Sequence, residues 1–178
     1  MIDVHKQFDG VPANYPAAPS GLSDNAAALD ADMIWARIEG YVAHRYTERE
    51  VVWTLIGDAG NQWHPPLAPI VSRHGHVWEN DVWRVVTLIT GPLGIILPHD
   101  GTYRVTAQVG GGDVPAAFSE AFRRLAEYMA DDPGRAGAYK QTDKIGPLDE
   151  ELTRSPAWLA RAMQLSGAAD LLRPYRRA

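Results

Sequence analysis

Residues 102–122 read TYRVTAQVGGGDVPAAFSEAF, a strand-like alternation that runs into three glycines and then into a helical pattern. Tyr103, Val105, Ala107 and Val109 fall on one side of the alternation, and Thr102, Arg104, Thr106 and Gln108 on the other. That is the pattern of a sheet with one buried and one wet face. Beyond the glycines, Val114, Ala117, Phe118, Ala121, Phe122, Leu125, Ala126 and Met129 recur at helical spacing. Strand, glycine loop and helix is also the layout that cradles phosphate, because free N–H groups at a helix start bind anions. The residues argue against that use. No lysine or serine follows Gly110-Gly111-Gly112, Asp113 places negative charge where a phosphate would sit, and Pro115 removes a donor. The stretch reads as a tight strand-to-helix reversal, with Asp113 as N-cap and Pro115 in the first turn. No cofactor is expected.

Working back from it, EVVWTLIG (50–57) is a β-branched and aromatic strand, followed by the turn DAGN. PLAPIVSR (66–73) is a weaker strand whose prolines suit an edge. HGH is expected to turn before VWEN, and DVWRVVTLIT (81–90) is a strand. GIIL and the strand from Thr102 flank PHDG, a hairpin-type connection. Short strands on short turns imply antiparallel pairing. Ahead of them a helix is expected from about Asn25 to Tyr46. Ser23 or Asp24 would cap it, Ile34, Ile38, Tyr41 and Val42 would share one face with Met33 beside them, and Arg37, Glu39 and Arg45 would lie on a wet or partner-facing side. Residues 1–22 have no period and are rich in proline and small residues, which reads as an extended arm, mobile or laid on a partner. Past the second helix, residues 131–147 form a long polar connection. A third helical piece opens at Ser155-Pro156 and ends near SGAAD. The domains are thus 1–22 (arm), 23–147 (core) and 148–178 (C-terminal helical arm and basic tail).

The chain has 178 residues, 46% hydrophobic and 22% charged, enough for one soluble domain. No apolar run approaches the roughly 20 residues of a membrane span, so no membrane partner is expected. MIDVHKQFDG lacks a signal core. The absence of cysteine removes disulfides and thiolate chemistry. Five arginines against Asp170 give residues 152–178 a charge of +4, leaving −9 for residues 1–151 out of the chain's −5. An acidic body with a basic tail is a charge asymmetry that needs a reason.

The candidates for chemistry are thin. His74-x-His76 supplies two metal-ligand types, with His64, His99 and Asp100 as others, but no third ligand is fixed by spacing. Asp149, Glu150 and Glu151 read as solvated carboxylates ahead of a helix. No serine sits in a G-x-S-x-G context. Of the six tryptophans, Trp35, Trp53, Trp63, Trp78, Trp83 and Trp158, most are expected in the core and one or two at an interface. In the tail, Leu171, Leu172, Pro174 and Tyr175 alternate with Arg173, Arg176 and Arg177, which reads as a docking segment or as a disordered tail.

In order, EGYVAHRYTER, VVWTL, WHPPLAPIV and LPHDGTYRVTAQVGGGDVPAAFSEAFRRLAEYM resemble the head–tail connector (adaptor) proteins of tailed phages and gene transfer agents, over roughly residues 25–130. SGAADLLRPYRR resembles that family's C-terminal end. Family members begin with a short helix rich in Leu, Glu and Lys, which the Pro/Ala arm replaces here. The resemblance implies an α+β fold, a helical core of two main helices with an antiparallel β insertion between them and a C-terminal helical arm. It implies a structural virion protein of the neck, made in the host cytoplasm, and no enzyme. Its partners would be the portal, copies of itself in a dodecameric ring, a stopper or other tail component, and DNA sliding through without specific binding. The portal-contacting segment would comprise Trp158, Leu159, Arg161, Leu171, Leu172, Arg173, Pro174, Tyr175, Arg176 and Arg177, and deletion of residues 168–178 would leave the fold intact but abolish portal attachment. A stopper or tail-terminator ring, and a small metal-dependent enzyme built on His74, His76 and another histidine, are the alternative expectations.

Overall fold

Apolar alternation builds the first part of the molecule. In β2 (Arg49–Gly57) Val51, Trp53 and Leu55 are buried, and in β8 (Gly101–Val109) so are Tyr103, Val105, Ala107 and Val109. These two strands pair antiparallel over their whole length, from Arg49 opposite Val109 to Gly57 opposite Gly101. β1 (Asp3–Asp9) adds to the outer side of β2, while β4 (Ile70–Glu79) and then β5 (Val82–Val86) add beyond β8. The result is a five-stranded antiparallel sheet in the order β1-β2-β8-β4-β5. A second sheet orders β3 (Gln62–Trp63), β7 (Gly94–Ile96) and β6 (Ile89–Gly91) as β3-β7-β6. Its Trp63 and Ile95 share one hydrophobic core with Val51, Trp53, Leu55, Val77 and Tyr103 of the larger sheet. Trp53 and Trp63 meet edge to face at 5.3 Å. The buried Tyr103 hydroxyl donates to the His99 carbonyl at 2.6 Å, and burial pushes its pKa up.

The computed structural model describes residues 2–131, 138–142, 151–154 and 160–176. It divides into two compact units. The two sheets lie in the first, Met1–Tyr15 with Ala43–Asp113. The second, Pro16–Val42 with Val114–Arg176, holds α1 (Asp24–Ala27), α2 (Ala31–Tyr41), α3 (Ala116–Ala130), α4 (Ala162–Leu165) and α5 (Ala168–Leu172). It also holds the antiparallel pair β9 (Ala138–Thr142) and β10 (Glu151–Arg154). Phe118, Ala121, Phe122, Leu125 and Ala126 form the buried stripe of α3, and Trp35 of α2 lies 5.0 Å from the Phe122 ring. Ala168, Ala169 and Leu172 of α5 are buried in the same unit.

The expected fold class is overturned. The chain is mostly antiparallel sheet, with eight strands in the two sheets of the first unit and few, short helices among the described residues, and not a helical core of two main helices carrying a β insertion. The strong periodicity of residues 114–129 correctly marks α3 but gives it too large a place. The helix expected over 25–46 is broken in two. Ser23 caps α1, but the Asp30 carboxylate then accepts from Asp32 and Met33 N–H and starts α2 afresh. Glu39 and Arg45, expected on a wet or partner-facing side, are 3% and 6% exposed.

The strand assignments also change. β4 runs straight through His74-Gly75-His76 and is interior, because Pro66 and Pro69 lie ahead of it. Gly75 is tolerated there because Leu88 fills the space of a side chain, 2.5 Å from where a Cβ would stand. The single strand expected over 81–90 is two, β5 and β6, in different sheets. β7 and β8 are likewise in different sheets and form no hairpin. Hairpins form instead at β6–β7, where Gly91 stands opposite Gly94, and at β4–β5, closed by Asn80 and Asp81 at φ 49° and 63°, the left-handed pair of a two-residue turn. Asp113 makes no cap for α3, whose N-cap position is Pro115. Glu151 opens a strand instead of preceding a helix.

Candidate assembly surfaces

Among the described residues the five-stranded sheet is open, and its two edge strands carry exposed apolar side chains. On the β1 side Val4, Phe8 and, just past the strand, Val11 are 40%, 64% and 87% exposed. On the opposite side Val82 and Val85 of β5 are 48% and 82% exposed, with Trp78 of β4 at 43%. Isolated exposed apolar residues are ordinary, whereas apolar groups gathered on an unpaired strand edge are the kind proteins normally blunt or cover.

Each edge strand is held by specific contacts. The Trp53 Nε1–H donates to Gln7 Oε1 at 2.9 Å, and Arg45 donates through Nε and Nη2 to Asp9 Oδ2 at 3.0 and 2.8 Å. On the other side Trp78 and Trp83 face each other across the hairpin, ring centroids 5.1 Å apart, and the Arg104 guanidinium lies 4.6 Å over the Trp83 ring. Phe8, Trp83 and Val85 lie on the face of the sheet away from its core, since they stand opposite Val52, Trp78 and His76, which flank the inward-facing Trp53 and Val77. Gln7, Asp9 and Arg84 lie on the core-side face, opposite Trp53, Val51 and Val77.

Of the segment expected to contact a portal, Arg161, Arg173, Pro174, Tyr175 and Arg176 are exposed, Leu171 is half-buried and Leu172 is fully buried. Trp158, Leu159 and Arg177 lie outside the described residues. Tyr175 packs edge to face on Phe118 at 4.8 Å, and Arg176 sits 4.7 Å over the Tyr41 ring. The apolar content of the tail thus has a local explanation, the core of its own unit. Removal of residues 168–178 would take Ala168, Ala169 and Leu172 out of that core, which corrects the expectation that such a deletion leaves the fold intact.

The second unit also has an open groove of about 580 Å³ lined by Glu120, Arg123, Arg124, Glu127 and Leu165 among others. Its charges answer one another: Glu120 pairs with Arg123 and Arg124, and Glu127 takes bonds from Ser23 N–H and Oγ–H, each at 2.7 Å. His74 and His76 are on β4, opposite Thr106 and Arg104. Among the described residues no three His, Asp or Glu side chains gather as a metal site would require, and no helix is long and apolar enough to cross a membrane. Gly110, Gly111 and Gly112 all have positive φ, and Gly110 is pressed against the backbone of Thr47 and Glu48. Sequence reasoning missed the two sheet edges. The signal was the wrong-phase apolar residues Phe8 and Val85, which a one-sided sheet has no use for. No family model and no curated protein matches this chain.

Proposed function

We propose that the chain is a self-assembling structural protein of a virion neck, a head–tail adaptor that forms a ring below the portal and extends the DNA channel. The observation that carries the reading is the pair of unlike apolar edges on opposite sides of one sheet. Two different surfaces on one protomer are what head-to-tail assembly needs, and such contacts close into a ring where the rotation allows. The order of sequence elements that resembles the adaptor family supports the same reading, although the helical core that the resemblance implied is not this chain's fold. The charge of −9 over residues 1–151 suits a channel through which DNA slides, since counterion-releasing Lys and Arg contacts would hold it. The exposed Arg161, Arg173, Tyr175 and Arg176 remain the groups offered to a portal.

Negative-stain electron microscopy and native mass measurement of the purified chain, alone and with portal, test the reading. Rings are expected. Monomers throughout, with no ring of this chain in the particle, would overturn it. A stopper or terminator ring would be distinguished by which neck component copurifies with the ring. For the metalloenzyme alternative, metal analysis of the purified protein is decisive.

A further inference from the structure

The ring reading leaves open how one copy grips the next. We propose that the β5 edge of one copy lies alongside the β1 edge of the next as a parallel pair, so that the five-stranded sheet runs on from subunit to subunit. The inference rests on the ring reading and commits to a second copy of this chain as the occupant of both edges.

Strand direction comes first. Five strands, each antiparallel to its neighbour, leave β1 and β5 running the same way. A copy related by rotation about a ring axis therefore brings its β5 up to β1 in parallel.

Backbone phase agrees. Gly10 N–H donates to the Glu50 carbonyl at 2.9 Å, so by the alternation of an antiparallel ladder Phe8 bonds inward to β2 while Gln7 and Asp9 turn their N–H and C=O to the open edge. At the other side the two-residue turn makes Glu79 and Val82 a bonded pair. Val82, Arg84 and Val86 then bond inward to β4, and Trp83 and Val85 point out. The outward residues are on the core-side face in β1 and on the opposite face in β5. Residues directly opposite in a parallel pair share a face, and one of each two points its backbone groups across the junction. Parallel pairing of these edges keeps the faces continuous, whereas antiparallel pairing would turn every second copy over.

Side-chain chemistry fits the same arrangement. In the two registers that set Phe8 beside an apolar residue of the outer face, it falls opposite Val85 or Trp83. On the other face Arg84, a cation 4.0 Å from Glu79, falls opposite Gln7 or Asp9. Apolar groups meet apolar groups and a guanidinium meets acceptors, the pairings that stabilise neighbouring strands. Strand addition of this kind draws affinity from main-chain bonds and specificity from alternate side chains.

The test compares the full-length wild-type chain with Val85→Pro and, separately, Phe8→Lys, by electron microscopy and native mass, with circular dichroism to check folding. Proline at 85 removes an outward N–H and spares the bonds to β4. Each variant is expected to stay folded and to lose the ring. Rings of wild-type size from a folded variant of either kind overturn the edge pairing and leave the ring reading standing, while a wild type that never forms rings overturns both. Hydrogen exchange on the wild type is the second readout, independent of any variant. Amides of Gln7, Asp9, Trp83 and Val85 should exchange at least tenfold more slowly in rings than in monomers. Unchanged exchange there, or protection that appears only when portal or a tail component is added, overturns the pairing.

Discussion

At the scale of single residues, the glycines that end the first unit are not equivalent. Gly110 has φ +132°, donates to the Pro69 carbonyl at 2.9 Å, and a Cβ on it would lie 2.3 Å from the Thr47 oxygen. Gly112 has φ +93° with nothing within 4 Å. Gly110→Ala is therefore expected to lose at least about 2 kcal/mol, from strain and a backbone clash together. Gly112→Ala should lose about 1 kcal/mol from its dihedral alone. Urea midpoints at constant slope would read both, and equal losses would refute the distinction.

The Asp9–Arg45 pair invites a double-mutant cycle. Arg45 has a side chain only 8% exposed, and Asp9 takes two of its guanidinium bonds. Asp9→Ala is expected to cost about 3 kcal/mol, because it strips a carboxylate from a buried cation. Asp9→Ala combined with Arg45→Met should cost less than the sum of the two single changes, and strict additivity would show that the residues do not interact.

At the scale of elements, α3 gathers the acid-sensitive contacts of its unit. Arg124 and then Arg123 hold the Glu120 carboxyl below its ordinary pKa, and the Ser23 backbone N–H and then its hydroxyl do the same for Glu127. Both groups bind a proton less readily folded than unfolded. Their contribution is complete above the ordinary carboxylate value of about 4.3 and is lost as pH falls through the lower folded value. Unfolding measured from pH 7 downward should stay level until about that point and then decline. Glu127→Gln should make the decline shallower, and an unchanged profile would remove Glu127 from the account.

α5 carries a larger effect. Leu172→Ala is expected to cost about 3 kcal/mol through its cavity, and Arg176→Ala less than about 1 kcal/mol because only an exposed cation–π contact goes.

The elements also show what could be read in advance. The inward set of β8 and the buried stripe of α3 were legible because each follows one clean period. The break between α1 and α2 was not, since Asp30 competes as a cap only once the chain can turn there. Nor was the interior place of β4. Gly75 reads as a turn residue until Leu88, thirteen positions away, is known to occupy its missing side chain's space. Which strands share a sheet is a non-local fact, and that is why 81–90 read as one strand and β7–β8 as a hairpin.

At the scale of the whole molecule, the order of the large sheet sets a gradient of local stability. β8 is paired on both sides, as is β2, whereas β1 and β5 have one neighbour each. In the monomer the amides of Tyr103, Val105 and Ala107 should exchange among the slowest of the first unit and those of β1 and β5 among the fastest. A protected β5 in a verified monomer would show that the edge is already covered. The candidate surfaces were the least legible part of the sequence, because an edge belongs to no local pattern. Phe8 and Val85 gain meaning only when the strand order places them at the two margins.

The tryptophans have a consequence of another sort. Trp53 and Trp63 meet edge to face in the dry core at 5.3 Å, and Trp78 and Trp83 repeat the geometry at 5.1 Å on the hairpin, where Trp78 is 43% exposed. Two indole pairs at such separations are expected to couple excitonically, one with both rings buried and one with Trp78 open to a quencher such as iodide. The molecule carries its own optical labels, an internal standard and an external probe whose emission shifts when something settles beside it.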